Sequence, residues 1–537
     1  MDREYVYQVK IREWIESSLG KDIMIPVAGN RVNNGYDIFV QSYLLPEEGI
    51  DKEMSNDTYN VNSLTPGITV YGSWESDEKV YHRWGNDDEI EPLVIKRDFN
   101  GLTEDVIEIA EEFRLLFNLY YNQQKKEYVD LSDGESVTVV KMDENGFVSV
   151  HKRYLKSYLA VKEKVLLIHV DSRCTLIDSG LKLDEDGLAY RDEENTLFYT
   201  LNIGMLHERE SYSYIYAKKV IRGCNLCDSN VWPYNEEKNY LDFIIGLDEN
   251  GKEIRHTCNP SMLSNYYGAN PTAPHYLTPV YFDTAVLNKY YSKPEIYKIE
   301  DGILRCGVLW SLYIDKNNSE YVSAYLGDLG RDLPSETEQH YWRGFNKSIG
   351  GNLSDTKIKR DFMCIAADSE SPDFVFKRTY TRVNKLFEEK IGWPLFLPLT
   401  EQDIYNFETL RVPVNNSIAE MDMLVLSLVK ILIDSLNEKN IYAQLTGSYE
   451  KLVGSISKIE VWLSEKNIDS REEHIKFLRD LQELRSSGTG HRKGKGYQKI
   501  SKTLDVKVEN YADTFSKLLE RATAFILFIE NNVEHLM

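Results

Sequence analysis

The sequence predicts a multidomain protein, with an α+β region of many short strands followed by an all-α bundle of four to five helices. Three observations predict it. The chain has 537 residues, and with domains averaging about 150 residues it must fold around more than one core. Proline stops at Pro413, and from there helical periodicity replaces strand-like alternation. The charge is also uneven. Of a net −23, residues 415–537 carry −1, from 17 Lys and Arg against 18 Asp and Glu, and residues 1–414 carry −22. We divide the chain accordingly into an α+β subdomain (1–100), a mixed α/β region (101–414) and the helical bundle (415–537).

Taken in order, residues 103–122 read as a helix, with Thr103 as N-cap and Val106, Ile109, Ala110, Phe113, Leu116 and Leu119 at helical spacing. Residues 127–150 read as strands around an Asn145-Gly146 hairpin turn, and Asn250-Gly251 marks a second hairpin. Helices are expected over 417–438, over 441–463, from a Ser470/Glu473 capping box onward, and over a last stretch carrying Val508 to Ile529. Joined by short connections, these four describe an antiparallel bundle.

Composition excludes several classes. With 42% hydrophobic and 28% charged residues, 31 Gly and 15 Pro, the chain is neither collagen-like nor disordered throughout. The strongest apolar run, Ala522 to Ile529, falls well short of the roughly 20 residues of a membrane span. The N-terminus lacks an apolar signal core, and six Cys are too few for a disulfide scaffold. The expectation is a soluble, cytoplasmic protein without a membrane partner. Its acidity should repel nucleic acid unless the basic residues are segregated.

One segment is segregated in that way. No acid falls between Glu483 and Asp505, a stretch holding Arg485, Arg492, Lys493, Lys495, Lys499 and Lys502. Within it Arg485 closes a helical pattern and His491 follows six residues later, across Gly488-Thr489-Gly490. Imidazole titrates near neutrality and suits proton transfer, while a guanidinium grips phosphate through two parallel hydrogen bonds. Arg492, Lys493, Lys495 and Lys499 are the candidates for holding a phosphate backbone, and Asp480 and Gln482 are candidates for orienting Arg485. Asp434 and Asn437 form a further polar pair at helical spacing.

The Arg485-Ser-Ser-Gly-Thr-Gly-His491 stretch, late in a helical bundle with a basic flank, resembles the signature of HEPN superfamily ribonucleases. The resemblance covers about 120 residues. It implies metal-independent RNA cleavage at a composite site formed by two paired bundles. His491 would act as general base or acid, and Arg485 would stabilise the scissile phosphate. The products would be a 2′,3′-cyclic phosphate and a 5′-OH. It further implies a toxin or abortive-infection role in antiviral defence, with a phage-derived trigger sensed by a regulatory region N-terminal to the bundle. Some members of the family have lost the site and serve as scaffolds or dimerisation modules, and that is the alternative reading.

Elsewhere, Cys224, Cys227, His256 and Cys258 form a CxxC…HxC set, within an element spanning about residues 220–260, that suits a structural zinc or a group of small buried thiols. No cofactor is expected for catalysis. The 488–496 stretch has neither Walker A spacing nor its Ser/Thr, which disfavours ATP-driven regulation.

Overall fold

In the computed structural model the chain divides into two compact units, Met1–Glu237 and Lys238–Met537. The structure describes residues 2–33, 36–55, 68–73, 76–83, 90–97, 99, 101–103, 106–143, 147–177, 187–207, 210–235, 237–318, 320–348, 351–447, 449, 452–488 and 493–537.

Eleven strands among the described residues of the first unit form one antiparallel sheet. Its long spine is Val165–Ile177, paired on one side with Tyr36–Leu45 and on the other with Glu210–Ile221. Alternate side chains of a strand point to opposite faces. Leu166, Ile168 and Val170 accordingly pack into a core with Ile25, Val40 and Leu155, while Val165 and Leu167 pack with Tyr43, Met54 and Phe198 on the other face. Because Met24–Asn33 pairs with Phe147–His151, one sheet spans both sides of residue 100.

The helix expected over residues 103–122 is instead a strand (Val106–Ile109), a short helix (Glu111–Leu116) and a second strand (Tyr120–Asn122). Val106, Ile107 and Ile109 pair with Val94–Arg97, and β-branched residues suit that pleated surface better than a helix. Asn118, at φ 48°, then turns the chain. The Asn145-Gly146 turn lies outside the described residues; Val137–Met142 and Phe147–His151 on either side of it pair antiparallel. At the second hairpin, only Gly251 of the Asn-Gly pair has positive φ (78°), and the Asp248 carboxylate accepts from the N–H groups of Asn250 and Lys252 at 2.8 Å. That is an Asx-stabilised turn rather than a two-residue one with both residues left-handed.

The second unit opens with small antiparallel sheets around Phe282, Tyr290 and Trp342 and ends in helices. Its helical core starts before residue 415. Phe376, Tyr380, Val383 and Phe387 of the helix Pro372–Ile391 pack in one cluster with Leu424, Leu428, Leu481, Phe515 and Phe525. The opening bundle helix, Ile418–Val429, continues as a π-helical turn through Asp434. The expected 441–463 helix is two pieces, Glu438–Ala443 and Ser455–Glu465, the second beginning after Gly454 at φ 87°. Ser470 has φ 62°, outside the extended region an N-cap needs, so it does not form the expected capping box. The helices Arg471–Gly488, Lys495–Thr503 and Tyr511–Asn531 follow. Among the described residues no helix is long and apolar enough to cross a membrane.

Candidate functional site

The helix Arg471–Gly488 is built on a buried stripe of Ile475, Leu478, Leu481 and Leu484 at three-residue steps. Arg485 follows Leu484 at the edge of that stripe and is half-buried one turn before the helix ends. Its electrostatic neighbour is Asp434, at the end of the π turn. Loss of surrounding water raises the Asp434 carboxyl above the ordinary carboxylate range, while the charges of Arg485 and then Lys430 pull against that rise.

The helix end is tightly placed. Gly488 is buried, and a Cβ added there would meet Tyr497 Cε2 at 3.4 Å and Asp422 Oδ1 at 3.5 Å. Asp422 projects from the opening helix among apolar neighbours. It accepts two bonds from Lys493 Nζ, at 2.7 and 3.0 Å, and that ammonium also lies 4.7 Å over the Tyr497 ring. Tyr511 stands close by, its hydroxyl pKa raised by burial, then by Tyr497 and Asp422. The two described residues that flank the Gly-rich stretch, Gly488 and Lys493, thus both stand at Asp422.

The expected site residues separate into groups. His491 and Arg492 lie outside the described residues. Lys493 is occupied by Asp422, while Lys495, Lys499 and Lys502 are exposed. Gln482, three residues before Arg485, shares its side of the helix. Asp480, five before, is turned about 140° around it at 3.6 residues per turn, away from the guanidinium. Asn437 is structural: it caps Glu438–Ala443, and its amide donates to the Pro394 carbonyl at 3.0 Å. Asp422 and Tyr497 were not singled out by sequence. The one available signal was an acid inside the apolar run MDMLVLSLV.

Of the cysteine set, Cys224 and Cys227 belong to the first unit and His256 and Cys258 to the second. Among the described residues no three His, Cys, Asp or Glu side chains are placed to hold a metal. Cys258 is buried, its Sγ 3.3 Å from Gln339 Oε1, and burial pushes its thiol pKa up to about 11, which disfavours the thiolate a metal needs. Cys224 Sγ faces the Lys156 carbonyl, and Cys227 is exposed.

A polar cleft of about 520 Å³ also lies in the second unit, lined by Asp301, Asp315, Asn317, Lys357 and Arg360 among others. Its cations are neutralised in place, with Arg360 forked onto Asp301 at 2.7 and 3.1 Å and Lys357 reaching Asp361 at 2.9 Å. No residue of the helix Arg471–Gly488 lines it. No family model, curated protein or solved structure matches the chain.

Proposed function

We propose that the protein is a metal-independent endoribonuclease acting through Arg485 and His491. The single observation that carries the reading is the setting of Arg485. It is half-buried at the end of a helix in an all-helical core, beside Asp434, and the helix that follows displays Lys495, Lys499 and Lys502. A guanidinium presents paired N–H groups to phosphate, and the exposed lysines that follow it in sequence add to the attraction for that anion.

In the proposed step His491 takes the proton of a ribose 2′-OH and O2′ attacks the adjacent phosphorus. The P–O5′ bond breaks, and the leaving oxygen takes up the proton that His491 removed, directly or through water, and departs as a 5′-OH. Arg485 stabilises the added negative charge on the phosphoryl oxygens. DNA, lacking the 2′-OH, is left intact. The same reading gives a cytoplasmic homodimer paired through the bundle, with an anti-phage role and a trigger received by the N-terminal region.

The test is incubation of the full chain with total RNA, with and without EDTA. Wild-type protein should cut in both and Arg485→Ala in neither. Cutting that EDTA stops would mean the chemistry is metal-assisted. One observation favours the second reading, a non-catalytic scaffold: Lys493, in the basic flank, is bound internally to Asp422. On that reading wild-type protein leaves RNA uncut.

A further inference from the structure

Three cations gather around two acids where the helix Pro372–Ile391 meets Lys316, Arg411 and the opening bundle helix. Asp373, in the first turn of Pro372–Ile391, accepts on one oxygen from Lys316 Nζ at 2.6 Å. Its other oxygen accepts from the Ser371 hydroxyl at 2.5 Å and the Phe374 N–H at 3.1 Å. Glu420 accepts from the Arg411 guanidinium at 2.5 Å and, on its second oxygen, from the Asn415 N–H at 3.3 Å. That guanidinium lies 4.3 Å over the Tyr291 ring, whose hydroxyl accepts from Lys316 at 3.1 Å. All four oxygens of the two acids are thus engaged before the third cation is considered.

The third is Lys377, one helical turn after Asp373, at the i,i+4 spacing where an acid and a lysine ordinarily pair. Here Asp373 is taken, and among the described residues no carboxylate pairs with Lys377. Its Nζ donates instead to the Glu408 backbone carbonyl at 2.8 Å and lies 5.8 Å over the Phe407 ring. A carbonyl carries no full charge to meet an ammonium. The charged groups that face Nζ are Asp373, Lys316, Arg411 and, most weakly, Glu408. Burial opposes the charge on Lys377 and Asp373 favours it, while Lys316 and then Arg411 oppose it again. The amine is pushed down to about 8. Lys316, buried but held by Asp373, stays above the ordinary lysine range. One cluster therefore holds two lysines of opposite character, one locked as an ammonium and one with a lone pair to offer.

We propose that Lys377 is a modification site, the nucleophilic amine of this cluster, acylated by small acyl phosphates. Its lone pair attacks the acyl carbonyl. The C–N bond forms, the C–O bond to phosphate breaks, phosphate leaves and the amine's proton passes to water. Lys377 is only partly buried, so a small donor can reach it. The product amide is uncharged, which suits a cluster whose two acids already balance Lys316 and Arg411. Acylation of Lys316 would instead leave buried Asp373 without its partner. The assignment does not depend on the ribonuclease reading.

The experiment incubates the full chain with acetyl phosphate between about pH 6.5 and 9.5 and follows Lys377 and Lys316 by quantitative peptide mass spectrometry. Nα-acetyl-lysine amide in the same tube is the standard for an ordinary lysine. Acetylation of Lys377 should reach half its plateau rate about two pH units below the standard, and Lys316 should stay unmodified. Lys316→Gln removes one opposing cation and releases Asp373, so in folded variant the Lys377 midpoint should move up by about one unit or more. The wild-type profile decides alone where that variant does not fold. A Lys377 profile that follows the standard, no acetylation of Lys377, or an unmoved midpoint in folded Lys316→Gln overturns the proposal.

Discussion

Lys493 Nζ lies 2.7 and 3.0 Å from the two carboxylate oxygens of Asp422, tying the chain just past the Gly-rich stretch to the opening helix of the bundle. The same carboxylate lies beside buried Gly488, so one acid serves both flanks of the segment that carries His491 in the sequence. A basic residue next to a proposed RNA site would ordinarily be assigned to phosphate. Here Asp422 binds Lys493 instead, and on the proposed reading phosphate falls to the lysines beyond it.

Asp422→Asn should therefore cost little stability, about 1 kcal/mol or less, because both side chains of the pair keep about a quarter of their surface. Cleavage should fall much further, by about ten- to a hundred-fold, since His491 precedes Lys493 by two residues and small misplacements are expensive in catalysis. Urea denaturation and initial cleavage rates on one RNA measure the two effects. Equal activity in variant and wild type would remove Asp422 from the account.

Gly488 does not need to be glycine for conformational reasons, as it is not among the positive-φ glycines. An alanine Cβ would make ordinary contacts with Tyr497 and Asp422. Gly488→Ala should be neutral or stabilising by up to about 1 kcal/mol, through the lower entropy of the unfolded chain. A loss of stability in thermal unfolding would show that the helix end is tighter than these contacts indicate.

Beneath the helical core, Lys316 Nζ meets Asp373 Oδ2 at 2.6 Å and the Tyr291 hydroxyl at 3.1 Å, with both charged groups almost fully buried. Burial opposes the charge on Asp373, but Lys316 and the Ser371 hydroxyl outweigh it and hold the carboxyl below its usual range. Asp373→Asn strands the ammonium and should cost about 3–5 kcal/mol. The sign with pH follows from the lowered value. The stabilisation is present above the unfolded carboxylate pKa and is lost as pH falls through the folded one. Urea titrations of wild type and variant should converge at acid pH.

In the first unit His169 sits between two tyrosines, Nε2 at 3.3 Å from the Tyr43 hydroxyl and Nδ1 at 3.2 Å from that of Tyr216. Burial, and then the charge of Lys218, depress its pKa to about 3. Below about pH 6.5 the unfolded histidine takes up a proton that the folded one refuses, so stability falls with pH. Between pH 7 and 5 this residue alone should remove about 2 kcal/mol. His169→Gln should abolish that part of the pH dependence in denaturant titrations. An unaltered slope would mean that the ring is protonated in place.

That helices follow strands was legible in the onset of 3.6-residue periodicity, but the change comes before Pro413, since Asn346–Lys347 is the last strand among the described residues and the helix Pro372–Ile391 already packs in the helical core. Helix limits were less so. Residues 106–109 carry apolar spacing compatible with a helix, yet they pair with the preceding strand Val94–Arg97 in a local hairpin, to which the β-branched Val106, Ile107 and Ile109 were the sequence clue. The continuity of one sheet across residue 100 left no such clue, since a sheet order that joins residues 24–45 to 147–177 appears only when the strands meet. At the candidate site, Arg485 and the exposed lysines could be found from charge clustering. Asp422 could not, because its partner lies 71 residues along the chain.

Whether His491 and Arg485 cut RNA is decided by mapping 5′-OH ends in total RNA treated with wild-type protein or His491→Ala. Discrete new 5′-OH ends, paired with 2′,3′-cyclic phosphates, are expected for the wild type and none for the variant at matched folded content. The same ends in both samples, or none in either, would contradict that expectation.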